Sequence, residues 1–311
     1  MSILYFNNCW FTNIGEAFID IGAIELLKQL FPGQQIINFS HMNFMYLYFN
    51  QNQREDLNKC YDMSKGLEAD YAVLAGMFAT EGFSNKDWIS YQIFKNLSER
   101  GIKLIFVGIG GETYSEKETD AFKRTLEELK PVLVTTRDNQ AYEEYKSLCP
   151  CISSIDCAFW LCDAYNPFLK ERRKKYNIVT YNRSPEPKCF EGEKEENGIE
   201  IVRPFHFPFS LVKKQIEIKD NFFVSDSPYD YLTLYANANK VYTDMVHAAI
   251  PSLVYDTPVK FKGVDKRALV FDTVKSKYQV EGFWRCNIDN LKIEKQRIID
   301  KMKNLLNEGK L

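Results

Sequence analysis

The run Thr243-Asp244-Met245-Val246-His247-Ala248-Ala249 joins a short apolar stretch, Lys240-Val241-Tyr242, to a longer one, and this junction sets His247 on the first turn of a helix. An imidazole placed there can donate to a phosphate or exchange a proton near neutral pH. A lone histidine is more often a packing residue, so both roles stand. Two other loops carry guanidinium groups. Tyr181-Asn182-Arg183-Ser184 and Arg203-Pro204-Phe205-His206 each end an apolar stretch, which puts Arg183 and Arg203 where an anionic donor would rest. The planar fork of arginine suits carboxylate and phosphate. Asn182 and Asp244, on the same loops, complete this donor-binding set. His206, among Pro204, Phe205, Phe207 and Pro208, reads as a packed or surface histidine, as does His41 beside Met42 and Phe44.

The first half of the chain repeats the arrangement. Asn13-Ile14-Gly15-Glu16 opens a segment with Ile19, Ala23, Leu26 and Leu27 on one helical face. The glycine lets a ligand approach the backbone, and a helix amino terminus offers N–H groups to an anion or a sugar oxygen. Equally, Asn13 can cap the helix while Glu16 closes a capping box. Gly108-Ile109-Gly110-Gly111 is a glycine-rich turn, either structural or touching a phosphate or sugar. It lacks the position, the third glycine and the following acid of a dinucleotide fingerprint, so NAD is not expected. Arg137 can fork onto a ligand or pair inside its own domain, and Asp138 can cap the helix that follows. Asp156, in Asp156-Cys157-Ala158-Phe159, belongs either to a cleft or to interdomain structure.

Short strands and helices must hold these loops. Apolar stretches at 3–6, 35–39, 71–75, 104–107, 133–135 and 152–155 alternate with helix-patterned segments at 16–30, 85–100, 117–129 and 139–148. That alternation implies crossovers and a parallel sheet covered on both faces. Asn166-Pro167 and the basic run 170–175 break it, and a second unit follows with strands at 177–181, 199–203, 221–224, 240–242 and 259–261. Helical stretches lie around Leu211 and Tyr231, and 288–307 is a terminal helix. The expected architecture is α/β, with a Rossmann-like domain over 1–165, a linker at 166–176, a second Rossmann-like domain over 177–287 and the helix over 288–311. Two such domains bring the carboxyl ends of their parallel sheets to a central cleft, where ligands of open sheets bind.

Length and composition agree. The chain has 311 residues, enough for two domains, and a net charge of −2 from 40 basic and 42 acidic residues gives no sequence-wide signal for nucleic acid. No apolar stretch approaches the roughly 18 residues that cross a bilayer. The start at Ile3-Leu4-Tyr5-Phe6 lacks the basic flank and long apolar segment of a secretory signal, so the cytoplasm is the expected address. Eight cysteines never form a Cys-x-x-Cys pattern and read as reduced, partly buried thiols. The aromatic segment 44–49 reads first as core, then as an acceptor or lipid-carrier contact, or as a dimer surface.

The order of these segments resembles the polysaccharide pyruvyl transferase family across nearly the whole chain. Its Asn-x-Gly-Asp-like turn is matched by Asn13-Ile14-Gly15-Glu16, its alanine-aspartate strand into glycines by 69–76, and its Gly-x-Gly turn by Gly108 and Gly110. Arg137-Asp138 matches an Arg-Asp pair, 156–159 an Asp-x-Ala-Phe segment, and 243–247 the final Ser-Asp-Arg-x-His. The resemblance implies a fold like that of GT-B glycosyltransferases and transfer of a pyruvyl group from phosphoenolpyruvate onto two sugar hydroxyls of a surface glycan precursor, as a ketal. It makes His247 the acid or phosphate ligand and Arg183 a carboxylate or phosphate clamp, with no cofactor and no metal demanded. Asn13, Gly15, Glu16, Gly108, Gly110, Arg137 and Asp156 would line the cleft on the acceptor side. A lipid-linked acceptor, a homo-oligomer and a place at the inner face of the membrane fit the same picture. Three departures stand out: Met245 replaces an arginine, Glu16 an aspartate, and the glycines after the third strand shrink to Ala75-Gly76-Met77. Two alternatives stand beside pyruvyl transfer: glycosyl transfer from a nucleotide sugar in the same GT-B-like two-domain cleft, or, as Met245 hints, a glycan-binding relative without catalysis.

Overall fold

The apolar runs of the first half assemble into one sheet. In a computed structural model, β1 (Ser2–Asn7), β2 (Gln35–Ser40), β3 (Tyr71–Ala75), β4 (Lys103–Ile109), β5 (Leu133–Thr136) and β6 (Cys151–Ser153) lie in the order β2-β1-β3-β4-β5-β6. Every pairing is parallel. The structure describes residues 1–8, 10, 12–40, 68–87, 89–167, 176–190, 198–208, 210, 221–263 and 265–308. His41, the aromatic segment 44–49, the basic run 170–175 and the helix expected around Leu211 lie outside the described residues. All residues of β3 and β5 are buried, as strands covered on both faces must be.

Crossovers run through α1 (Ile14–Leu30), α2 (Ile89–Glu99), α3 (Glu116–Leu129) and α4 (Asn139–Tyr145). Helix α3 shows why the sequence folds this way. Ser115 caps it by accepting from the Glu118 N–H, Lys130 closes it in the left-handed conformation, and Phe122, Leu126 and Leu129 at helical spacing form its buried face. Phe122 packs with Phe78 and Phe83, and these meet Phe94 and Phe106 edge-on or tilted.

The second sheet contains β7 (Tyr176–Thr180), β8 (Glu200–Pro204), β9 (Phe222–Phe223), β10 (Val241–Thr243), β11 (Val259–Phe261), β12 (Lys277–Val280) and β13 (Phe283–Cys286), ordered β12-β13-β11-β10-β7-β8-β9. From β11 to β9 it is parallel; β12 and β13 add an antiparallel hairpin. The strands expected from sequence end at β11, so this hairpin is an addition. Glu281-Gly282, both at positive φ, supply the tight turn that it needs. The helices of this half are α5 (Leu161–Ala164), α6 (Pro228–Asn237), α7 (Val246–Val254) and α8 (Ile288–Glu308).

The chain divides into two compact units. The first comprises Met1–Cys9, Ala23–Cys157 and Gln296–Leu311, the second Trp10–Gly22 and Ala158–Lys295. Sequence order alone would break the chain at 166–176, whereas the structural break falls at 157/158. The physical reason lies in the second unit: the Tyr255 hydroxyl donates to the Leu161 and Tyr165 carbonyls, and the Asn237 amide donates to Pro167 O, so the residues after 157 are held by α6 and the end of α7. Residues 10–22, including the first turns of α1, also belong to the second unit.

Candidate active site

In the second sheet the chain leaves β7 towards β8 and β9 on one side and enters β10 and β11 on the other. Such a reversal of strand order opens a crevice beyond the carboxyl ends of the strands. The loops there are 181–184 after β7 and 244–245 after β10, the latter leading directly into α7. Asp244, expected among the donor-binding residues, ties these loops together. Its buried carboxylate accepts from the backbone N–H groups of Asn182 at 3.0 Å, Arg183 at 2.9 Å and Ser184 at 2.7 Å, and from the Ser184 hydroxyl at 3.0 Å. Consecutive N–H groups converging on one anion form a nest, and here the anion is supplied by the protein.

That latch fixes the backbone while the side chains of Asn182 and Arg183 remain exposed. The Arg183 Nε lies 3.9 Å from Asp265 Oδ2 at a well-solvated position, where an ion pair contributes little. Arg203 is placed differently. Its guanidinium grips Glu186 with two bonds, of 2.7 and 3.1 Å, and donates to Phe190 O at 2.6 Å, so it braces the β7 loop from within. Met245 occupies the N-cap position of α7 without a side-chain capping bond; its N–H donates to Thr243 Oγ1 at 2.9 Å, and the Thr180 hydroxyl donates to its sulfur at 3.3 Å. A thioether thus fills the junction of β7 and β10.

His247 occupies the first turn of α7 and packs on Gly15. A Cβ added at Gly15 would stand 2.7 Å from His247 Nδ1 and 2.8 Å from its Cβ, so only glycine fits without displacement. Asn13 starts α1 by accepting from the Gly15 N–H at 3.0 Å, and its amide donates to Glu16 Oε1 at 3.2 Å. The side-chain partner of Glu16 is thus the Asn13 amide, where a capping box would use the backbone N–H. Burial raises the pKa of Glu16, opposed by the Asn13 bond and by the charge of His247. Residues 13–16, expected on the acceptor side, therefore meet the histidine of the donor-side set inside one unit.

His206 is 1% exposed, and its Nε2 lies 2.6 Å from the Tyr235 hydroxyl. Burial, helped by the charge of His247, drives its pKa down to about 3, so it is neutral at ordinary pH. Its carbonyl accepts from the Ile14 N–H, anchoring the first turn of α1. Sequence reasoning missed Tyr235, Glu186 and Thr180. Tyr235 falls at a core position of α6, and only the fold discloses the histidine beside it.

In the first unit the expected residues engage one another. Arg137 and Asp156 form a buried pair at 3.4 Å. A Cβ at Gly110 would lie 2.5 Å from Arg137 Nε, and one at Gly108 would lie 2.8 Å from Cys157 Sγ. Gly108 has φ +59° within a register shift of β4, a conformation that favours glycine. Asp138 caps α4 and receives the Tyr114 hydroxyl at 2.5 Å. Glu118 latches the loop after β4, accepting from the N–H groups of Glu112, Thr113 and Tyr114 at 2.7, 2.8 and 2.6 Å and from the Thr113 hydroxyl at 2.6 Å. Burial pushes its pKa up, but these bonds win and hold it below the ordinary carboxylate range.

The six described cysteines are free, and no helix among the described residues is long and apolar enough to cross a membrane. Solved structures share the fold at low identity. A UDP co-structure of MnaA from S. aureus is 12% identical, with 97% of this chain and 90% of that chain covered and a TM-score of 0.53. A UDP-N-acetylglucosamine 2-epimerase from Rickettsia bellii is 11% identical over 99% of this chain and 97% of that one, at 0.53. The Methanocaldococcus jannaschii UDP-GlcNAc 2-epimerase in complex with UDP-GlcNAc and UDP is 12% identical over 99% and 93%, at 0.51. The first unit and the parallel core of the second are thus built as in GT-B-like proteins. No curated protein matches the chain in sequence. The pattern of polysaccharide pyruvyl transferases, however, matches residues 13–259, from the turn that packs on His247 to the first residue of β11, and by that match the chain belongs to the polysaccharide pyruvyl transferase family.

Proposed function

We propose that this chain transfers a pyruvyl group from phosphoenolpyruvate to two hydroxyls of a sugar in a surface glycan precursor, forming a ketal. The observation that carries the reading is the packing of His247, on the first turn of α7, against Gly15 beside the strand-order reversal of the second sheet. It joins the first and last motifs of the family in one place. In the reaction one sugar hydroxyl adds to C2 of the enol while C3 takes a proton and becomes a methyl group. The second hydroxyl then displaces phosphate, and its proton leaves with that group. An acid at C3 or at the departing phosphate is therefore required, and His247 suits that task. Arg183 presents an exposed guanidinium on the latched loop and suits the donor's carboxylate or phosphate. Arg203 and Asp244 serve this reading as bracing for the donor loop. Arg137, Asp156, Gly108 and Gly110 serve as framework under the acceptor-side loops.

Isothermal titration of the purified protein with phosphoenolpyruvate, and with a panel of nucleotide sugars, tests the proposal. Saturable phosphoenolpyruvate binding that weakens in His247→Ala is the expected result. Binding of a nucleotide sugar alone would overturn it in favour of glycosyl transfer.

A further inference from the structure

We infer that Glu16 is a positioning residue for His247, its carboxyl group holding the imidazole in the orientation from which it passes a proton. The inference rests on the reading of His247 as the acid of the reaction. Its geometric basis is the abutment of two helix starts. The Gly15 backbone lies so close to the ring that a Cβ there would stand 2.7 Å from Nδ1, which puts the Nδ1 edge on the first turn of α1. Glu16 is the next residue on that turn, and Asn13 restrains it through the 3.2 Å bond to Oε1.

Among the described residues, two other ionisable groups placed by His247 have partners of their own. His206, after β8, is buried and neutral with Tyr235 on its Nε2. Asp244, three residues before His247 on its own loop, holds the backbone of 182–184. Glu16 has one oxygen restrained by Asn13, and burial raises its pKa against the opposing Asn13 bond and, more weakly, the charge of His247. A histidine that moves protons needs its ring fixed by a second group, and a carboxylate does this while stabilising the imidazolium that forms. Such contacts are often long before substrate arrives and tighten afterwards.

Glu16→Gln removes the charge at constant shape, and it relieves rather than adds a cost of burying charge. Glu16→Asp withdraws the carboxyl by one methylene. The chain has only three histidines, His41, His206 and His247, so their ring signals can be followed by ¹H–¹⁵N NMR and assigned with His247→Ala. Glu16→Gln should move the His247 ring signals while leaving those of His206 in place, and Glu16→Asp should move them less. In phosphate release from phosphoenolpyruvate with a sugar acceptor, kcat of Glu16→Gln should fall about tenfold or more. KM should stay within about twofold, and Glu16→Asp should recover part of the rate. His247 signals at their wild-type positions in folded Glu16→Gln would overturn the inference, as would a raised KM at unchanged kcat, which would make Glu16 a donor contact. If Glu16→Gln does not fold, unmoved His247 signals in Glu16→Asp would overturn it equally. A wild-type protein that releases no phosphate from phosphoenolpyruvate would sink the donor reading, while the spectra would still decide the pairing.

Discussion

Replacing Gly15 with alanine tests the contact that organises the second unit. The added methyl would meet His247 Nδ1 at 2.7 Å, its Cβ at 2.8 Å and its Cγ at 3.0 Å, against ordinary contacts of 3.4–4 Å. A gap of about 0.7 Å must open. Rotating the imidazole cannot open it, because one clashing atom is the Cβ that anchors the ring. The start of α7 or of α1 must move instead. Overpacking of this kind costs about 1–3 kcal/mol, and displacing a reacting group by ~1 Å can cost on the order of a hundredfold in rate. Urea unfolding should therefore show a loss in that range, and phosphate release from phosphoenolpyruvate should show the larger effect in kcat. The decisive control is a double-mutant cycle with His247→Gly, which removes both ring and Cβ. In that background Gly15→Ala should lose most of its destabilising effect. An equal penalty in both backgrounds would refute the reasoning, since the strain would then lie elsewhere.

Two further expectations concern the first unit. The Glu118 carboxylate has a pKa lowered in the folded state, so its contribution to stability is complete above its unfolded value and is lost as pH falls through the lower folded one. Urea midpoints measured through that acid window should drop less steeply in Glu118→Gln, and parallel curves would contradict the latch. Arg137→Met removes the guanidinium that faces the buried Asp156 carboxylate, and breaking a buried ion pair from one side typically costs about 3–5 kcal/mol. A loss well below that, measured by the same unfolding, would mean that water reaches the pair.

How much of the fold and site is legible in the sequence depends on the range of the interaction. The strand at 71–75 is visible at its full extent because five apolar residues are bounded by Asp70 and Gly76, and α3 because its cap and apolar stripe are local. The hairpin of β12 and β13 is not, since Lys277-Tyr278-Gln279-Val280 and Phe283-Trp284-Arg285-Cys286 mix polar and apolar residues without the long apolar run of a buried strand. Candidate residues are located by type and loop position, which are local properties. Their partners are not. That Arg203 belongs to Glu186, that Asp244 faces three N–H groups, and that Gly15 lies under His247 follow from strand order, which brings distant segments together.

The carboxylate latch at Asp244 separates two properties that loops usually couple. The course of 182–184 is dictated through backbone N–H groups, which every residue except proline possesses. Side-chain identity at 182 and 183 is consequently under little obligation to the loop's shape. If the donor docks on this loop as proposed, substitutions there would retune which anion is welcomed without rebuilding the loop, and a library restricted to these two positions is the economical place to search for altered donor preference.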